Sequence, residues 1–104
     1  MLTPQEAQKL WKLIKPIKCA MLTSWNGEFL HARPMHHVQE EFDGVLYFFT
    51  GRDSAKIEEI QQNRDVCLSY SNLEDSVYVS VSGTAEVFRD QGLIDRFWNP
   101  FVAA

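Results

Sequence analysis

The sequence predicts a small, mainly antiparallel β-barrel with short helices between and outside its strands. Three observations carry this expectation. Asn26-Gly27 separates two strand-like runs, and this dipeptide is the strongest short-range hairpin signal. Val77, Val79, Val81, Ala85 and Val87 fall on one parity, while Tyr78, Ser80, Ser82, Thr84 and Glu86 fall on the other, separating an apolar from a polar face. Further short apolar runs recur along the chain between turn residues, giving five sequentially connected strands in 104 residues.

The elements follow in order. Thr3-Pro4-Gln5-Glu6 reads as a helix start, with a Thr cap, Pro in the first turn and Glu at the third position. Leu10, Trp11, Leu13 and Ile14 form its apolar stripe and Pro16 ends it. Such a helix is expected to pack across a sheet or a barrel mouth. Residues 17–25 and 29–38 are the two hairpin strands. Pro34 cannot donate to a ladder, which places that point of the second strand at an edge or a bulge. Glu40 to Gly44 is an acidic turn. Residues 45–50 read as a third strand, apolar nearly throughout and so expected to be covered on both faces.

Asp53 or Ser54 caps a helix running to about Gln62, with Ile57 and Ile60 inward and Glu58, Glu59, Gln61 and Gln62 toward water. Asn63 is its stop. Residues 66–71 are a fourth strand, and Asn72 to Asp75 a turn. Residues 77–89 form the longest strand, where Gly83 marks a bend or bulge. Asp90 caps a last helix with Leu93, Ile94, Phe97 and Trp98 as its apolar face, ended by Asn99-Pro100. Closing a barrel usually takes more strands than these. Either the protein is short for its class or a closing strand is missing.

Composition excludes several function classes. The chain is 45% hydrophobic and 23% charged, an ordinary globular profile for one domain over residues 1–104. Its net charge of -4 and scattered Lys and Arg offer no basic face for nucleic acid. No apolar run approaches membrane-spanning length, and the N-terminus lacks a signal-peptide core. Cys19 and Cys67 stand far apart in strand-like contexts and read as reduced core residues of a cytoplasmic protein. His31 and His37 share one strand face and His36 takes the other, with no ligand at structural-zinc spacing, so no metal site is expected. Neither a catalytic triad nor a P-loop or dinucleotide motif is present. Any chemistry is expected to come from a cofactor.

The stretch Leu46-Tyr47-Phe48-Phe49-Thr50 followed by Ser54-Ala55-Lys56 has the form of strand, turn and helix start, where unpaired N–H groups and the helix dipole favour an anion. By local chemistry alone it is either a phosphate site or a capped helix with a solvated lysine. Arg33 is either a strand arginine paired with a nearby Glu or a cation facing a ligand. Tyr78 is either an ordinary strand aromatic or a ligand contact.

The ordered series Asn26-Gly27, Ala32-Arg33-Pro34-Met35, Leu46 to Thr50, Ser54-Ala55-Lys56, Val66 to Tyr70, Tyr78 to Ala85 and Phe97-Trp98-Asn99-Pro100 resembles the pyridoxamine 5′-phosphate oxidase-like flavin-binding proteins, in their general stress protein branch. The resemblance spans the chain from about Lys15 onward. It implies an antiparallel, Greek-key-like split β-barrel that forms homodimers, with flavin mononucleotide (FMN) at the subunit interface. It would place Arg33 near the flavin, with Pro34 and Met35 shaping the ring's wall. Phe49 and Thr50 would lie beside the ring and ribityl chain, and Ser54 and Lys56 on the phosphate. Tyr78 would reach the flavin from the other subunit, and Trp98 would pack near the dimer interface. The oxidase's Ser-Arg-Lys is Ser54-Ala55-Lys56 here, and its C-terminal Arg and His have no counterpart before residue 104. The implied function is therefore an FMN-dependent oxidoreductase of unknown substrate, without vitamin B6 oxidation. The alternative is a protein that binds flavin, deazaflavin or haem without turnover.

Overall fold

The computed structural model describes residues 2–42, 44–50 and 55–97, with the backbone alone at 55, 56 and 97. Helix α1 (Pro4–Ile14) opens with the anticipated capping box: Glu6 N donates to Thr3 Oγ1 at 3.1 Å and Thr3 N to Glu6 Oε1 at 3.2 Å. These bonds satisfy two donors that a helix start leaves orphaned. Ala7, Trp11 and Ile14 form its buried face. Lys18, at φ +68, then turns the chain into the sheet.

Strands β1 (Cys19–Trp25) and β2 (Leu30–His36) pair antiparallel from Cys19↔His36 to Trp25↔Leu30. The hairpin forms, but its loop differs from a two-residue turn with both residues at positive φ. Gly27 has φ +101 while Asn26 is not in that region, and four residues separate the strands. The Asn26 side chain organises the loop instead, its Oδ1 accepting from the N–H groups of Glu28 and Phe29 at 2.9 Å each. An asparagine that bonds its own backbone ahead offers an alternative to the tight turn.

Residues 45–50 do not form a regular strand. Among the described residues their pairing includes an antiparallel bridge, His37↔Phe48, and a bond from Val38 N–H to Tyr47 O at 3.1 Å. The side chain of Gln39 takes the place of ladder partners: its Oε1 accepts from Tyr47 N–H at 3.0 Å and its Nε2 donates to Val45 O. Hydrophobicity alone does not distinguish a strand from an extended segment whose backbone a side chain satisfies.

Helix α2 (Ala55–Gln62) crosses back over β1 and delivers β3 (Asp65–Asn72), which pairs antiparallel with both β1 and β4 (Val77–Thr84). The sheet order is β2-β1-β3-β4, so β2 is an edge strand, the position that tolerates Pro34. β4 ends at Thr84, one residue after Gly83, five short of the expected Arg89. Beyond it, Ala85 and Val87 leave the ladder yet still pack on the core. Asp90 caps α3 (Gln91–Phe97), accepting from Leu93 N–H at 3.2 Å.

Strand alternation sorts the sheet into two faces. Ala20, Leu22, Met35, Leu68 and Tyr70 enter the core with Trp11, Ile14, Phe42 and Ile60. On the opposite face Met21, Trp25, Leu30, Pro34 and Tyr78 are exposed. Cys19 and Cys67 are free and half-buried. Among the described residues, no helix is long and apolar enough to cross a membrane.

Candidate functional site

On the inner face, β2 carries its odd-numbered residues, and Arg33 lies opposite Leu22 of β1. A long cation cannot sit in an apolar layer unpaired. Its partner comes from α2. Arg33 Nη2 donates to Glu59 Oε2 at 2.6 Å, and Nη1 to Ser24 Oγ at 3.1 Å. Ser24 Oγ also donates to Glu59 Oε2 at 2.8 Å. His31 Nδ1 meets the other carboxylate oxygen at 3.2 Å. The four side chains form one network joining β1, β2 and α2. The Ser24 hydroxyl, then the Arg33 and His31 bonds, hold the Glu59 carboxyl below its usual range, against the opposing effect of burial.

Glu59 corrects an expectation. Helical spacing put it among the water-facing residues of α2, yet its side chain is only 11% exposed. The signal that could have found it is the set of partners one face of the hairpin presents: Ser24, His31 and Arg33 share strand parity across β1 and β2. A carboxylate one position before inward-facing Ile60 can serve that set.

The remaining anticipated residues distribute as follows. Pro34 is exposed at the sheet edge, on the face opposite Arg33. Met35 is in the core, so only its backbone can line a ligand. Phe49, half-buried, and Thr50, exposed, directly follow the bridged Phe48 and therefore lie near the His37 end of β2. The bridge is antiparallel, so the chain after Phe48 runs back along the edge of β2 in the direction of Arg33. Tyr78 is 63% exposed on β4, the far edge of the sheet, about 14 Å from β2 across three strand spacings. One chain does not bring Tyr78 and Arg33 to one site. Ser54, the side chain of Lys56 and Trp98 lie outside the described residues.

Pro34 and Phe49 offer apolar surface and Thr50 a hydroxyl along the edge of β2, while the Arg33 guanidinium lies on the other face of the strand, closed by Glu59 and Ser24. Among the described residues, no group of three His, Cys, Asp or Glu could hold a metal ion.

Two further features had no clear signal in the sequence. An open groove of about 720 Å³ runs along the outer face, lined by Thr23, Trp25, Leu30, Val66, Cys67 and Ser82 among others. Among the described residues, none of the anticipated cofactor residues lines it. In the core, His37 packs between Trp11, at 4.9 Å between ring centroids, and Tyr70, at 6.3 Å. Its Nδ1 and the Tyr70 hydroxyl are buried without hydrogen-bond partners among the described residues. Burial pushes the Tyr70 hydroxyl up to about 12, with the nearby Cys19 adding to the shift.

Known proteins share this architecture. General Stress Protein 26 from Bacillus anthracis superposes with a TM-score of 0.81 at 29% identity, over 93% of this chain and 74% of that one. The general stress FMN/FAD binding protein from Xanthomonas citri gives 0.80 at 34% identity, over 97% and 72%. These relatives have the split-barrel fold, and the antiparallel sheet with its short helices is the same fold here. Protein bli-3 of Neurospora crassa is 27% identical over 103 residues, 96% of this chain; the chain spans about half the length of that relative. The family model for pyridoxamine 5′-phosphate oxidase-like proteins matches residues 5–104, and the chain belongs to that family.

Proposed function

We propose that this protein binds a flavin, FMN in the first instance, and acts as a flavin-dependent oxidoreductase. The observation that carries the reading is the placement of Arg33-Pro34-Met35 on an edge strand whose end is bridged to the segment bearing Phe49 and Thr50. That segment leads toward the start of α2, where Ser54 and Lys56 would meet the phosphate. A cation, an apolar wall and a hydroxyl thus follow one strand edge. Family membership and the Xanthomonas relative described as FMN/FAD binding support the same ligand class.

Bound FMN would supply hydride acceptance. The chain's own residues would bind and orient it. Thr50, Ser54 and Lys56 would hold the ribityl chain and phosphate, and β2 would flank the ring. Ala55 stands where the oxidase carries an arginine, which leaves Lys56 as the cation of the Ser54-Ala55-Lys56 run.

A homodimer belongs to this reading. Tyr78 is on the wrong edge of the sheet to meet Arg33 of its own chain, so a second copy would supply it. The exposed apolar residues of the outer face, Met21, Trp25 and Leu30, suit burial against such a copy.

The test is titration of the purified chain with FMN and riboflavin, followed by quenching of flavin fluorescence. The expected outcome is saturable FMN binding. Lys56→Ala should weaken FMN about tenfold and riboflavin by less than about twofold, because an ammonium–phosphate contact is charge-assisted. Equal losses for both ligands would remove the phosphate role. Reduction of the bound flavin by a nicotinamide donor and reoxidation dependent on an added electron acceptor would mark an enzyme. Reoxidation by oxygen alone would mark a binding protein.

A further inference from the structure

We propose that the loop between β1 and β2 is a site of covalent self-modification: Asn26 deamidates there by attack of the Gly27 nitrogen, and the folded loop promotes the step. The inference is independent of the flavin reading and needs only water as co-reactant.

The loop is arranged around the Asn26 side-chain amide. Its Oδ1 accepts from the N–H groups of Glu28 and Phe29 at 2.9 Å each. Two main-chain donors on one carbonyl oxygen draw electrons from Cγ, and they are in place for the negative charge that the oxygen gains when Cγ is attacked. Asn26 N–H donates to Phe29 O at 3.2 Å, which fixes the loop backbone from the other side. Among the described residues, no hydrogen bond engages the Gly27 N–H, the nucleophile, or Asn26 Nδ2, the leaving group. Gly27 is exposed at φ +101, and a Cβ built on it would meet nothing within 4 Å. Water therefore reaches that nitrogen, and no side chain of its own shields it.

Two other asparagines lack this combination. Asn63 Oδ1 accepts from Asp65 N–H at 3.1 Å, and the next residue is Arg64. Asn72 Oδ1 accepts from Asp75 N–H at 3.3 Å, its Nδ2 is held by Asp75 Oδ2 at 3.1 Å, and the next residue is Leu73. Each has one main-chain donor on its oxygen and a bulky side chain on the residue that would attack.

The chemistry is hydrolysis. The Gly27 nitrogen gives its proton to water and bonds to Asn26 Cγ. The Cγ–Nδ2 bond breaks, and Nδ2 takes up a proton and leaves as ammonia, closing a five-membered imide. Water then opens the ring at Cγ to give aspartate, or at the Asn26 main-chain carbonyl to give isoaspartate, and the Gly27 nitrogen regains a proton. Overall one water is consumed and one ammonium released, with no change of oxidation state. The product carries a new negative charge between the exposed side chains of Trp25 and Phe29.

The effect of folding separates this site from a loop that only turns the chain. A loop that holds its backbone away from the attack geometry slows the reaction relative to the unfolded chain; two donors aimed at Oδ1 speed it. The full-length chain is incubated at pH 8, folded in buffer or unfolded in guanidinium chloride, at matched ionic strength. Conversion at each asparagine is followed by peptide mapping and mass spectrometry, counting both product isomers. Asn26 should convert about tenfold faster in the folded chain, while Asn63 and Asn72 stay intact there. Gly27→Ala should slow conversion in buffer about tenfold or more, because a side chain on the attacking residue crowds the ring closure. The wild-type comparison needs no variant, so it decides the matter even if Gly27→Ala fails to fold. Conversion of Asn26 that is equal or slower in the folded chain overturns the inference, as does a folded Gly27→Ala that converts like the wild type.

Discussion

His37 shows how a single residue makes the fold pH-dependent. Its ring is held between Trp11 and Tyr70, in contact with α1 and β3. Burial lowers its pKa from the usual 6.5, and repulsion by His36, Lys18 and Lys15 adds to the shift, with Glu40 opposing. The folded state therefore binds the proton less readily than the unfolded chain. Stability is full above pH 6.5 and declines as the pH falls from there through the lowered folded value, where the unfolded chain holds more protons. The melting temperature should fall between pH 7.5 and pH 5.5, and His37→Phe should flatten that slope. An unchanged slope in the variant would assign the acid sensitivity elsewhere. Glu59 acts in a lower window: its carboxyl is depressed, so its contribution is present above the ordinary carboxylate range and lost as the pH drops through its folded value.

At the scale of elements, α1 depends on one aromatic. Trp11 is buried, stacks on Phe42 at 5.7 Å and contacts His37. It joins the N-terminal helix both to the end of β2 and to the acidic loop. Truncating a buried Trp removes its transfer free energy and leaves a cavity, a loss of about 3–5 kcal/mol. Trp11→Ala should lower the unfolding free energy measured in urea by that amount while leaving the sheet able to form. A loss below about 1 kcal/mol would mean that α1 is not part of the cooperative unit. The capping box was legible because Thr3, Pro4 and Glu6 are local chemistry. The strand expected at 45–50 was not, because whether a run pairs depends on what lies beside it. Here Gln39 satisfies the backbone that a neighbouring strand would otherwise take up.

At the scale of the whole molecule, the sheet order decides what one chain can do alone. With β2 and β4 at opposite edges, and Arg33 and Tyr78 on opposite faces of the sheet, one chain does not bring the two side chains together. If a second copy completes the site, assembly and flavin binding are linked, and ligand stabilises the dimer by mass action. Sedimentation should show a dimer that tightens with FMN. Trp25→Glu, which places a charge on the exposed face of β1, should yield a monomer with FMN affinity reduced about tenfold or more. A monomeric variant that binds FMN like the wild type would separate the two.

The sequence by itself determined the family, the hairpin, the caps of α1 and α3 and the parity of residues 77–82, because these rest on neighbours in the chain and on period. It also singled out Arg33. Only the tertiary structure decided what Arg33 touches. Its partner Glu59 lies 26 residues away on a helix whose spacing assigned it to water. Tertiary packing overrode that spacing because a cation on the inner face of a sheet needs a counter-charge more than the helix needs one further solvated carboxylate.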